Sequence, residues 1–295
     1  LHSVTHSFPT RRSSDLMKRY WIAFYVMVCL LAGCQGNKTV ESTEETVADT
    51  TATVDSTVAD NEMKAIEEEP MPKAADELFD DFVFNFAANR KLQYSRIKFP
   101  LPVVRGDDIE LLPKSKWHME NFFMRQDFYT LIFDSEKQLE ETKQISVSHA
   151  VVEKIYFHSK SIKQYVFDRI NGRWMMQKII HIPLHESHNA SFLDFYEHFA
   201  SNADYQMHHL RETVDFVGPD PDDDFNEMEG VITPDTWPAF APELPTDMIY
   251  NIIYGTNHKA GKCKVFVLRG IANGLETELT FRHEGGKWML SKLST

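Results

Sequence analysis

Several groups of side chains in this chain have the types and spacing to do chemistry. His181, His185 and His188 stand in HIPLHESH at spacings of four and three. On a helix that spacing would bring three imidazoles together as a metal site. Pro183 interrupts any such helix, so the segment reads better as a polar hinge and no metal is assigned. Asp220, Asp222 and Asp224 begin like a calcium loop. Phe225 stands where the sixth-position glycine belongs and Val231 where the closing glutamate belongs, so the pattern fails and a solvated insertion is expected. Trp174 with Lys178, and Trp288 with Lys292, are each four residues apart in strand-like segments. The two-residue period of a strand puts each pair on one face. An indole beside an ammonium could hold an anionic or glycan ligand at a pocket mouth; alternatively the Trp packs inward and the Lys snorkels at the edge. These four are the ligand-pocket candidates. Cys263 has no local motif that would supply a base, and reads as a small apolar side chain. No catalytic residue and no cofactor emerge from these groups.

The rest of the chain must position them. It has 295 residues, enough for two domains. With 44 acidic against 31 basic side chains it carries −13, which argues against nucleic acid as a partner. Three cysteines build no disulfide framework. Aromatics at 12%, including 21 Phe, require a packed core.

Residues 1–16 do not match the pattern of the segment beginning at residue 17. They resemble translated adapter sequence, so the natural start is expected at Met17. Lys18 and Arg19 then precede the unbroken apolar run Tyr20–Leu31. A spanning helix takes roughly 20 residues, so this shorter run reads as a signal segment, 17–33. It ends in Leu31-Ala32-Gly33-Cys34, which resembles the lipobox of bacterial lipoproteins. The resemblance implies cleavage before Cys34, diacylglycerol on its thiol and a lipid-anchored place in the bacterial cell envelope, at the outer membrane on either face. Each buried methylene of such a chain contributes about 0.8 kcal/mol to membrane binding.

Residues 34–73 form a tether. From Gln35 to Lys73 there is no aromatic residue, and ten acidic against three basic side chains give −7. Such a stretch buries too little apolar surface to offset chain entropy. As a coil its 39 residues would span roughly 35 Å. Asp49-Thr50-Thr51 and Asp55-Ser56-Thr57 resemble acceptor sites of bacterial envelope O-glycosylation, which makes Thr50 and Ser56 glycosylation candidates.

The body beyond the tether contains an internal repeat. Residues 79–89 align without gaps to 192–202, with six of eleven identical: Phe79/Phe192, Asp81/Asp194, Phe82/Phe195, Phe86/Phe199, Ala87/Ala200 and Asn89/Asn202. Residues 167–178 align to 281–292 with five of twelve identical. The offsets are 113 and 114, so two copies of one unit are expected, at 74–186 and 187–295. Each opens with a helix whose apolar side chains fill half of the wheel. Each closes with strands, expected at 128–134, 147–158, 162–170 and 173–182, and at 247–255, 262–271, 276–283 and 287–293. Asn171-Gly172 is a strong hairpin signal, since both positions need positive φ, and Gly285-Gly286 matches it. Helices followed by an antiparallel meander make the class α+β.

This order, with its Phe-x-Asp-Phe helix and Gly-basic-Trp hairpin, resembles the nuclear transport factor 2-like fold. The resemblance implies two tandem cone-shaped domains, each with N-terminal helices packed in a curved antiparallel sheet around a pocket. Tandem copies behind a lipoprotein signal resemble the family named domain of unknown function 4348. The fold hosts enzymes, scaffolds and immunity proteins alike, so it fixes no activity. Two readings stand: a non-catalytic module binding an envelope protein, a glycan or a small molecule, or an isomerase-, dehydratase- or hydrolase-type enzyme working in one cone. Titratable groups converging deep in one cone would favour the enzyme; purely apolar pockets would favour binding.

Overall fold

The structure, a computed structural model, describes residues 76–295 except 142–146, 221–222, 257–260 and 272. The lipidation residue Cys34 and the glycosylation candidates Thr50 and Ser56 lie outside the described residues, as do the signal segment, the tether and Asp222.

The first half begins with α1 (Phe79–Ala88) and α2 (Arg90–Arg96). Phe79, Phe82, Val83, Phe86 and Ala87 recur at helical spacing and all are buried. Asn89 stops α1 in an extended conformation and caps α2, its Oδ1 accepting from the Leu92 amide at 2.9 Å. Six strands follow: β1 (Leu101–Arg105), β2 (Asp108–Leu112), β3 (Phe128–Phe133), β4 (His149–Tyr156), β5 (Ser161–Ile170) and β6 (Arg173–Pro183), with α3 (Glu136–Glu141) after β3. The second half repeats the order with α4 (Ala190–Ser201), α5 (Ala203–Met207), β7 (Leu210–Asp220), β8 (Asp223–Ile232), β9 (Met248–Tyr254), β10 (Cys263–Gly270), β11 (Glu276–Glu284) and β12 (Lys287–Ser294). Asn202 caps α5 through the Tyr205 amide, again at 2.9 Å.

The aligned aromatics occupy matching surroundings. Phe79 meets Trp174 edge-on at 4.8 Å, and Phe192 meets Trp288 at 5.5 Å. Phe86 stands perpendicular to Phe167 at 5.3 Å, as Phe199 does to Phe281 at 5.2 Å. A side-chain amide braces each half: Gln93 donates to the Phe86 carbonyl and accepts from the Trp117 indole, while Gln206 donates to the Phe199 carbonyl and accepts from Trp237. Asn171 and Gly172 both have positive φ, as do Gly285 and Gly286, so the two matching hairpins turn as their residues require.

The sheets are not confined to the halves. One runs β2-β1-β6-β5-β4-β9 and the other β8-β7-β12-β11-β10-β3. β9, from the second half, pairs antiparallel with β4; β3, from the first, pairs antiparallel with β10. The halves have therefore exchanged one strand each, a feature the residue pattern of either copy alone does not carry. The exchanged strands also touch: the Ile132 amide donates to Asn251 Oδ1 at 2.8 Å, and the Thr130 hydroxyl donates to the Tyr250 carbonyl. Asn251 Nδ2 in turn donates to Glu153 Oε2 at 2.9 Å, and Gln164 donates to Glu153 Oε1 at 2.9 Å. Glu153 is fully buried there.

Candidate functional site in the mouth of the first cone

In the first sheet α1 covers the end nearest the Asn171-Gly172 turn, where Phe167, Trp174 and Met176 form the core. Strand alternation carries the same face toward the opposite, open end. There β1 presents Arg105, β5 presents Lys163 and Tyr165, β6 presents Ile179 and His181, and β4 presents Lys154. The loop after Trp117 adds Glu120. A cavity of about 370 Å3 opens at this end, lined by Val103, Arg105, Lys116, Trp117, Glu120 and Lys163 among others. That is within the size range of small-molecule sites.

Glu120 is the hub. Its carbonyl accepts from Gln93 Nε2 at 2.7 Å and its amide donates to Gln93 Oε1 at 3.1 Å, so its backbone is pinned. Its carboxylate accepts from the Tyr165 hydroxyl and lies 3.7 Å from both Lys154 Nζ and Lys163 Nζ. Burial, and then the adjacent Glu120 charge, pushes the Tyr165 hydroxyl far above the usual phenol range, so it remains a proton donor. The two lysines shift oppositely although they share one carboxylate. Burial lowers Lys163, and Lys154 and Arg105 add repulsion that Glu120 does not offset. Burial also acts to lower Lys154, but Glu120 and Tyr250 outweigh it, leaving the net shift upward. His181 is lowered by burial and by Arg105 and Lys163. Tyr250 is pushed up to about 12, chiefly by burial. It comes from exchanged β9 and its ring centre lies 5.6 Å from Lys154 Nζ, so the second half backs the first half's site from within the core.

The pairing registers define which residue stands at each of these positions in the second half. Val152 pairs with Ile252 and Phe266 with Ile132, which sets β3 against β9 at an offset of 120 and β4 against β10 at 114. Lys154 then corresponds to Leu268, Lys163 to Thr277, Tyr165 to Leu279, Glu120 to Phe240, Arg105 to Gly218 and His181 to Thr295. Each of these six ionisable groups has an uncharged counterpart in the second mouth. Phe216 and Phe240 meet there edge-on at 5.4 Å. Phe216 lies across Gly218 so closely that a Cβ on Gly218 would fall 2.6 Å from the ring. Phe216 therefore occupies the space over Gly218, with Phe240, 44% exposed, packed against it from the solvent side.

The expected Trp–Lys pairs are corrected by the structure. Trp174 and Met176 face the core, but the β5–β6 register slips between Val166 and Phe167, and Lys178 emerges exposed on the other face. An equivalent slip between Thr280 and Phe281 separates Trp288 from Lys292. Such bulges invert strand alternation. Trp174 is wholly buried and Trp288 donates to Ser191 Oγ at 3.2 Å, so neither indole lines the first mouth. His185 sits on the turn Leu184–Glu186 and His188 beside a crevice near Asp134, both apart from His181. Among the described residues no group of three or more His, Cys, Asp or Glu could hold a metal ion. The partly buried Cys263 thiol is pushed up, mainly by burial, which keeps it protonated. Sequence reasoning missed Arg105, Glu120, Lys154, Lys163 and Tyr165. The signal that exposes them is the difference between copies: strands that repeat closely in their core residues diverge at these positions.

The fold and the duplicated helix-in-sheet geometry define a protein of the NTF2-like class. The chain is similar to a crystal structure of an NTF2-like protein from Bacteroides fragilis NCTC 9343, with 37% identity and a TM-score of 0.69, covering 76% of this chain and 98% of that one. It belongs to the family described as Domain of unknown function (DUF4348), whose model matches residues 58–295. No curated protein matches the chain.

Proposed function

We propose that this protein is a lipid-anchored component of the bacterial cell envelope, at the outer membrane, whose body holds a ligand in the mouth of its first cone. The observation that carries the binding role is the cavity between Trp117, Lys163 and Glu120. Its groups converge from β1, β2, β5, β6 and the loop that carries Trp117 and Glu120. The anchor rests on the residues alone: Lys18-Arg19, the apolar run and Leu31-Ala32-Gly33-Cys34. The acidic tether would hold the body off an anionic membrane, and Thr50 and Ser56 would carry glycan. The ligand class open to such a site includes small molecules, glycans and segments of envelope proteins.

Two experiments test this. Labelling cells with an alkyne fatty acid should mark the chain, and Cys34→Ser should abolish the mark; labelling that survives the substitution contradicts the anchor. Chain captured from its native envelope should carry a small molecule, glycan or peptide that Trp117→Ala releases. Recovery of nothing bound would remove the binding role.

One observation favours a second reading. A pinned carboxylate, a phenol held in its protonated form and two ammonium groups converge on one point. That arrangement can accept a proton at Glu120, whose carboxylate Tyr165 orients from behind, and stabilise developing negative charge through Lys163. Ligand recovered unchanged after prolonged incubation supports binding; conversion, lost in Glu120→Gln, supports an enzyme.

A further inference from the structure

The charges of the first mouth are not demanded by the fold. The second half builds the same helix, brace, bulge and sheet with Leu268, Thr277, Leu279, Phe240, Gly218 and Thr295 at the corresponding positions. A group that the same architecture does without serves something other than the packing. In the first mouth three cations, Arg105, Lys116 and Lys163, face two carboxylates, Glu110 and Glu120, and a fourth, Lys154, stands beside Glu120 outside the cavity lining. The excess is positive although the whole chain carries −13. Glu120 is shared between Lys154 and Lys163 at 3.7 Å from each, longer than a direct hydrogen bond, so neither ammonium is closely engaged by it. Trp117, Val103 and Ile179 give the same cavity an apolar wall.

We propose that the mouth of the first cone takes a small organic anion, its charged group between Lys163 and Arg105 with Lys154 adding positive charge from beside Glu120, and its apolar body against Trp117, Val103 and Ile179. This rests on the reading of that mouth as a binding site and adds the charge class of its ligand. A carboxylate and a phosphate ester share the required chemistry; the pinned Glu120 would take a hydroxyl of the ligand as donor and repel a second negative group placed beside it.

The test uses the full chain in nonionic detergent and four probes of one shape: cyclohexanecarboxylate, cyclohexyl phosphate, cyclohexanol and cyclohexylamine. Affinities are read by ligand-observed NMR titration. At least one anion should bind tenfold or more tighter than cyclohexanol, and the difference between the two anions identifies the head group. Lys154→Leu with Lys163→Thr, which installs the second half's own residues, should weaken that anion at least tenfold while leaving the melting profile intact. Should the double variant misfold, the His181 imidazole of the unaltered chain remains a reporter. Its titration should move upward with the anion and stay in place with cyclohexanol. The proposal fails if no anion binds, if the variant binds it unchanged, or if cyclohexanol or cyclohexylamine binds as tightly. Tight binding of a neutral or cationic probe that Trp117→Ala abolishes would overturn the charge class alone and leave the mouth a binding site.

Discussion

The two cone mouths share a frame and differ in nearly everything exposed on it. In the first, Arg105, Lys116, Glu120 and Lys163 border open space, and Tyr165 and Lys154 back Glu120. In the second, Phe216 lies over Gly218 and meets Phe240 edge-on. Beneath each mouth the same Gln–Trp brace and the same Phe–Trp contact recur. The lesson is a division of labour: the parts that repeat are those that fold, and the parts that diverge are those free to specialise. The exchange of β3 and β9 ties the two together, because Tyr250 of the second half packs against Lys154 behind the first half's mouth.

Four substitutions at three places probe this contrast. The largest effect is expected where the halves meet. Asn251 and Glu153 occupy the positions that Leu131 and Val267 occupy in the other half. Asn251→Leu removes a donor from the fully buried Glu153 and an acceptor from the Ile132 amide, and should cost about 2–4 kcal/mol. Adding Glu153→Val installs the complete apolar pair and should recover most of that loss. Urea unfolding of both variants reads the outcome; a double variant no better than the single one would show that the halves are less interchangeable here than the registers imply.

Next in size is the plug. Phe216→Ala should destabilise by about 1–2 kcal/mol, less than a fully buried Phe because the ring is half-buried. It should also open the second mouth to cyclohexanol without conferring preference for an anion, since Leu268, Thr277 and Leu279 supply no charge. A preference for cyclohexanecarboxylate there would contradict the assignment of charge recognition to the first mouth.

The smallest effect is a slope. Tyr250 ionises near 10 when unfolded and is pushed up to about 12 in the folded chain. A raised folded value contributes stability that is present below pH 10 and lost as pH rises toward 12. Tyr250→Phe should therefore make the alkaline decline in melting temperature shallower over that window. An unchanged slope would mean that Tyr250 is not held protonated by its surroundings.

Much of the frame was legible in the residues. Phe79, Phe82 and Phe86 announced a buried helix face, and Asn171-Gly172 announced its turn, because local spacing decides both. The eight expected strands fall close to those observed, β5 at Ser161–Ile170 and β12 at Lys287–Ser294 among them. The strand exchange was not legible: β3 is equally well patterned for β4 or β10, and only tertiary geometry chooses. The Trp174–Lys178 pairing misled because the bulge at Gln177 inverts alternation, and nothing in Met175-Met176-Gln177 marks it. Lys154 and Lys163 look like ordinary strand charges until they are set against Leu268 and Thr277.

The number of anion sites per chain decides whether charge recognition belongs to one mouth alone. Calorimetric titration of whichever cyclohexyl anion binds should give one site, which disappears when Lys154→Leu, Lys163→Thr and Glu120→Phe install three of the second mouth's residues in the first. Two sites in the unaltered chain, or one that survives this recoding, would contradict the assignment.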